Sequence, residues 1–381
     1  MKDERMVLQA CQHWIIKLGS AVLIRDDGLL DRPVFASVIS EINALMEMGC
    51  KVTIVSSGAV ALGRMRLAPN EKTGSMDLPR LQALAALGQA KLIALYDDEL
   101  SNYGKRVCQV LLGPGDIDHR QRFLNARLTL EAVHRLGAVA VVNENDTVAT
   151  EELRFGDNDR LAAMTCGLVR GDVLVLLSDV DGIHDVETSE EGSRRLLGRI
   201  SSIGLDDPKL DAIAGPPVSG VGRGGMVSKV QAARLAARFG VKTVVAPGKM
   251  LGVLGALRDG QDVGTLMVPA HGTDLVGRKV WLGTSAIPVG TIHCDAGAKR
   301  AVLERGASLL PSGIQDVTGE FAEGSVVALA GGDGEVFAKG LCVYAASDIR
   351  RIAGAQSADI ASILGFRILD SVIHRDSLVI L

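Results

Sequence analysis

Cysteine is sparse in this chain: six residues in 381, at Cys11, Cys50, Cys108, Cys166, Cys294 and Cys342. No two lie closer than 39 positions, which excludes a zinc ribbon and a CxxC redox pair. They are expected to be small buried hydrophobes in a reducing compartment. The seven histidines are scattered and no HExxH occurs, so no protein-bound metal is expected. Long apolar runs are also missing. The longest charge-free stretch, Val280–Cys294, is interrupted by Gly and Pro and falls short of the roughly 18 apolar residues of a membrane span. The start, MKDERMVLQACQHWIIKLG, becomes apolar only at Trp14 and then carries Lys17, which argues against a signal peptide. A cytoplasmic location is therefore expected. With a net charge of −4, no global basic field draws the protein to nucleic acid.

What is present is an ordinary globular mixture, 47% apolar and 23% charged. It is enough to bury a core, and the length suggests two domains. Up to about residue 250, short apolar runs alternate with helix-length periodic segments. The runs at His13–Leu18, Lys51–Ser56, Arg106–Leu112, Ala138–Asn143, Val173–Ser178 and Val241–Ala246 read as strands of a parallel sheet covered on both faces. Helices are predicted at Arg32–Met48, Leu78–Tyr103, Arg120–Leu136, Asp159–Val169 and Met226–Phe239. Strand, crossover helix, strand is the βαβ pattern, so an α/β domain with a three-layer, open and mainly parallel sheet is expected over 1–275. Beyond Val268-Pro269 the runs shorten and glycine punctuates them, as in GEFAEGSVVALAGGDGEVFAKG. A small β-rich barrel or sandwich is expected over 280–381, with a helix at Ala296–Arg305.

Four segments lie where open parallel sheets bind ligands, at the carboxyl ends of strands. In IIKLGSAVL, Lys17 ends an apolar strand; a buried lysine there meets an anion, and one that snorkels to solvent is the alternative. In IVSSGAVALG, Ser57 and Gly58 stand at a strand-to-helix turn, where glycine lets backbone amides approach an oxyanion. A capping serine explains the same pattern. The spacing is not that of a GxSxG elbow. In VVNENDTVATEELRFGDNDRLAA, two clusters, Asn143-Glu144-Asn145-Asp146 and Asp157-Asn158-Asp159, are too dense for capping alone. They suit an ammonium ligand and the orientation of cationic side chains. GVGRGGMVSK, residues 220–229, matches GxGxxG but comes late and follows no strand. It suits a glycine-rich phosphate cradle with Lys229 reaching in, or a surface loop. No Walker A motif occurs, and the His374-Arg375-Asp376 triplet has no DFG to accompany it.

In order and spacing, KLGS (Lys17–Ser20), SSGAVALG (Ser56–Gly63), RFLNAR (Arg122–Arg127), NENDTVAT (Asn143–Thr150), GDND (Gly156–Asp159), LLSDVDG (Leu176–Gly182) and GGM…K (Gly224–Lys229) resemble the glutamate 5-kinases. These form a branch of the amino-acid kinase family with an appended PUA domain. The tail agrees, with AVLERGASLLPSGI (Ala301–Ile314) followed by VTGEF, RRIAG and ILG. The resemblance implies ATP-dependent phosphorylation of L-glutamate to L-glutamyl 5-phosphate, the first step of proline biosynthesis, with Mg²⁺ arriving on ATP. It implies that Lys17 and Lys229 flank the transferring phosphoryl group and that Asp159 holds them. Asp146 would pair with the α-ammonium, and Ser57, Gly58 and Asn158 would bind carboxylate oxygens. Lys17, Ser178, Asp179, Arg223, Gly224, Gly225, Met226 and Lys229 would contact nucleotide. Feedback inhibition by proline and a homo-oligomer are further expectations. Two departures fall in the nucleotide half: Arg223 replaces the usual Thr, and GIHDVETSEEG replaces GLYTxDP.

Other classes fit less well. A nicotinamide dehydrogenase needs an early Gly-rich turn and an acid ending its second strand, where this chain has Ser56-Ser57-Gly58. An RNA-binding tail needs phosphate-neutralising charge, whereas residues 278–381 hold ten Lys or Arg against eleven Asp or Glu. Related family kinases acting on aspartate, acetylglutamate, UMP or carbamate stay closest, and the tail and NENDTVAT favour glutamate.

Overall fold

The computed structural model describes residues 5–25, 27–67, 76–113, 116–117, 120–148, 158–188, 194–214, 225–269 and 287–381. Contacts divide the chain into two compact units, Met1–Ile117 with Gln121–Asp274, and Leu275–Leu381 with Asp118–Arg120. The junction expected at 275–280 lies outside the described residues.

The first unit is built from β1 (His13–Leu18), α1 (Arg32–Glu47), β2 (Lys51–Ser56), α2 (Ala59–Leu67), α3 (Leu78–Ser101), β3 (Arg106–Leu112), α4 (Arg120–Arg135), β4 (Ala138–Glu144), α5 (Asn158–Val169) and β5 (Val173–Ser178). There follow β6 (His184–Thr188), β7 (Arg194–Arg199), β8 (Ser202–Gly204), α6 (Met226–Ala237), β9 (Lys242–Pro247), α7 (Val253–Arg258) and β10 (Thr265–Val268). Helix starts have local causes. Asp31 accepts from the Val34 amide and Asp77 from the Arg80 amide, and a proline stands in the first turn of both helices. Each cap satisfies a donor that the helix itself leaves open.

Eight strands pair in the order β3-β4-β2-β1-β5-β9-β10-β8. From β3 through β9 every pairing is parallel, so those six strands end at one edge. β10 runs antiparallel to β9, and the β6–β7 hairpin stands apart from the sheet. The short β8, β10 and the hairpin are absent from the sequence reading, because their runs carry too little apolar periodicity. β1, β4 and β5 are buried along their whole length, as a sheet covered on both sides requires. Strand order reverses at β1, which has β2 on one side and β5 on the other. A crevice at the carboxyl ends follows from that reversal.

The second unit holds a five-stranded sheet with its own core. β11 (Thr291–Cys294), β12 (Ile314–Thr318), β13 (Val326–Ala330), β14 (Val336–Leu341) and β15 (Leu378–Ile380) pair as β12-β11-β13-β14-β15. α8 (Ala296–Arg305) is capped by Asp295 and stops at Gly306, whose φ of 57° suits glycine. Ile292, Val327, Leu329, Tyr344 and Ile349 lie in its core. Among the described residues no helix is long and apolar enough to cross a membrane.

Candidate active site

At the carboxyl edge of the first sheet a cavity of about 720 Å³ spans the ends of β4, β2, β1 and β5. Lys17, Ser57, Gly58, Asp146, Asn158, Ser178, Asp179 and Lys229 line it, so eight residues from six separate segments share one hollow. Asp159 lies behind them, fully buried. Gly225 and Met226 open α6 one turn before Lys229 and are not among the lining residues. Arg223 and Gly224 lie outside the described residues.

Lys17 belongs to the buried core row of β1, level with Val55 of β2 and Leu176 of β5. It is 5% exposed, which decides against a lysine that snorkels to water. Its Nζ lies 2.5 Å from Asp159 Oδ1. Lys229 Nζ lies 3.3 Å from Asp159 Oδ2, and the Ser228 hydroxyl is 3.2 Å from the same oxygen. The two lysines reach one carboxylate because α6 packs on α5 through small side chains. Ala232, Ala233 and Ala236 are buried on one helix, and Ala162, Ala163 and Gly167 on the other. A Cβ on Gly167 would lie 2.4 Å from the ring of Phe239, just past the end of α6, so a larger residue there would require that ring to shift.

Burying three ions costs several kcal/mol for each, recovered only where the partners are close and opposite. Two ammonium groups on one carboxylate leave the triad with one positive charge in excess. That excess faces the cavity, because both lysines line it, and it suits an anion.

Beside the triad stands a neutral donor–acceptor network. Asn158 Nδ2 lies 2.7 Å from the Ser56 carbonyl, 3.0 Å from Ser57 Oγ and 2.8 Å from Asn143 Oδ1. The Glu144 amide donates to the same Asn143 oxygen at 2.8 Å. Gly58, with φ 102°, turns the chain from β2 into α2 in a conformation few other residues adopt. Ser56 is held from behind: it accepts from the Tyr96 hydroxyl at 2.8 Å. Burial pushes the Tyr96 phenol well above its ordinary range, so Tyr96 stays a neutral donor. At the β5 end, Ser178 Oγ donates to Asp179 at 3.0 Å.

Against known proteins, residues 12–247 match the amino acid kinase family and residues 290–364 match the PUA domain. A glutamate 5-kinase from Trichlorobacter lovleyi is 43% identical over 378 residues, covering 99% of both chains. Those from Pelobacter propionicus and Pseudomonas putida are 41% and 42% identical, covering 99% of this chain and 100% of theirs. The chain belongs to the amino acid kinase family.

Within an amino acid kinase the described geometry separates the site residues into layers that the motifs do not show. Asn143 stands in NENDTVAT, yet the sequence reading picks Asp146 from that cluster and passes over the amide that anchors Asn158. Ser228 and Tyr96 carry no recognisable signal. A serine before a lysine and a tyrosine in a long helix are common, and only the fold brings them to Asp159 and Ser56.

Proposed function

We infer that this protein is a glutamate 5-kinase, transferring the γ-phosphoryl group of ATP to the γ-carboxylate of L-glutamate. Full-length relatives of that name support the reaction. The buried Lys17–Asp159–Lys229 triad is the observation that supports the assignment of roles. The acceptor carboxylate is already a nucleophilic anion, so no general base is needed. Its oxygen attacks the γ-phosphorus, the bond to the β-bridging oxygen breaks, and the electron pair leaves on ADP. The obstacle is repulsion between two anions. Two cations fixed by a buried carboxylate meet it without reorganising during the reaction.

In this reading Ser57, Gly58 and Asn158 hold carboxylate oxygens of glutamate, and Asp146 pairs with its α-ammonium. Ser178, Asp179 and the start of α6 face the nucleotide. Among the described residues no group of three or more His, Cys, Asp or Glu side chains is arranged to hold a metal. In this reading Mg²⁺ arrives with ATP and is held mainly through its phosphates. We assign the whole chemistry to residues 1–275, and a fragment cut near residue 280 retains turnover on this view.

The decisive test is ADP release across acceptors: L-glutamate, L-aspartate, N-acetylglutamate, UMP and carbamate. Turnover with glutamate at least about 10²-fold above the others is expected, since a site built to pair an ammonium and two carboxylates rejects acceptors lacking one of those groups, and L-aspartate falls one methylene short of the phosphoryl group. Preference for any other acceptor overturns the assignment.

A further inference from the structure

A second cavity of about 650 Å³ lies on the other side of α2 from the site just described. Its floor includes Leu62 and Leu95, both buried, and three more aliphatic or thioether side chains complete the apolar lining. Four cations, Arg25, Arg32, Arg66 and Lys91, surround that floor, with no acidic residue among the described lining residues. Arg25 is paired with Asp27 at 2.5 Å. Arg32, Arg66 and Lys91 make no ion pair among the described residues. Surface cations usually sit among acids of opposite sign, and three of them gathered without one around an apolar hollow are complementary to an anion with an apolar body. The volume and the mix of apolar wall with a few polar groups are those of a small-molecule site.

The two cavities share structure. Arg25 lines both, and α2 divides them. Ala61 and Arg64 face the active-site cavity, whereas Leu62, Met65 and Arg66 face the second one. α2 begins one residue after Gly58, in the loop that would hold glutamate. It is also locked to α3. A Cβ on Gly63 would lie 1.9 Å from the Leu84 carbonyl oxygen, and one on Gly88 would lie 1.7 Å from that of Ala59. With the two backbones in contact, a ligand touching α2 and α3 bears directly on the Ser57–Gly58 turn.

We propose that this cavity is an effector site for a small organic anion with an aliphatic body, a carboxylate held by Arg32, Arg66 and Lys91 over Leu62 and Leu95. Its occupancy is transmitted through α2 to the glutamate loop. Binding itself is independent of the glutamate kinase reading; the transmission rests on it.

The probe is octanoate, titrated calorimetrically into the full chain without ATP or glutamate. Wild-type protein is expected to bind it at a single site. The double variant R66Q/K91Q is expected to bind it at least tenfold more weakly, because two charge-assisted contacts are lost. Octanamide, equal in length and uncharged, is expected to bind the wild type at least tenfold more weakly than octanoate. Saturating octanoate should change the wild-type KM for glutamate at least twofold, as reciprocal coupling requires, and leave that of the double variant unchanged. Equal binding by wild type and variant, equal binding of octanamide and octanoate, or a glutamate KM that ignores octanoate overturns the proposal. The calorimetric arm needs no turnover, so failure there is distinct from failure of the kinase assignment.

Discussion

Lys17 and His13 occupy the same strand four residues apart, and both are almost fully buried, at 5% and 6% exposure. The two ends of β1 nevertheless solve burial in opposite ways. At the carboxyl end Lys17 stays beside an anion, Asp159, and a second cation completes the cluster. At the amino end His13 Nε2 lies 3.0 Å from Thr53 Oγ1, which lies 3.0 Å from His134 Nε2. A threonine hydroxyl has one hydrogen, so it donates to one imidazole and accepts from the other, and both rings are satisfied while neutral. The imidazoles also meet edge to face, with centroids 4.8 Å apart. Desolvation, then the neighbouring His134 and Lys51, push His13 down to about 3, and burial lowers His134 as well. On the proposed function, the cation kept charged at one end of β1 serves the reaction, whereas the histidine kept neutral by a neutral partner at the other end serves the core.

The comparison breaks most visibly in kinetics. Lys17→Ala and Lys229→Ala should each lower kcat by about 10²-fold or more with a smaller change in glutamate KM, because their contribution grows in the transition state. His13→Gln should leave kcat within about twofold. Steady-state assays of the three variants check this, and equal losses at both ends of β1 would erase the distinction.

Asp159→Asn tests what holds the charged end. The amide keeps the shape and removes the anion, so two ammonium groups are left facing each other. A loss in kcat of about 10-fold to 10²-fold is expected, in line with uncoupling a buried charge cluster. Wild-type turnover in this variant would show that the lysines need no carboxylate to hold them.

A smaller effect separates binding from chemistry within the cavity. Asp146→Ala should raise glutamate KM about tenfold with kcat nearly unchanged, since the α-ammonium is bound equally in ground and transition states. A collapse of kcat at unchanged glutamate affinity would move Asp146 into the catalytic group.

The neutral end is read in stability rather than in turnover. The folded His13 takes a proton only near pH 3, while an unfolded histidine does so near 6.5. Between those values the unfolded chain binds more protons, so stability is fully present above about pH 6.5 and falls as the pH drops toward 3. The slope is at most about 1.4 kcal/mol per pH unit for one histidine. Urea unfolding from pH 7 to pH 4 should show the fall, and His13→Gln should flatten it.

The parallel sheet was legible because its strands are buried on both faces. Val173–Ser178 and Lys51–Ser56 are continuous apolar runs, and their predicted limits coincide with the observed strands. β8, with three residues, and β10, with four, leave too short a run to read. Ser57, Asn158, Asp159 and Lys229 were legible as motif residues in a known order. Asn143, Tyr96 and Ser228 were not, because each acts through one contact with a residue 15 to 69 positions away.

Local chemistry written into the chain was enough to determine the alternation of the six long strands with their helices and the identity of the chemistry-bearing loops. Those features depend on neighbours within a turn or on a periodicity of two or 3.6, which a linear text preserves. Tertiary structure alone decided that Lys17 and Lys229, 212 positions apart, share one carboxylate. It alone decided that Lys17 is buried while ion-paired and His13 buried while neutral. Charge state and catalytic use depend on dielectric and on the nearest opposite charge. Both are set by which elements pack together, and no spacing along the chain records them.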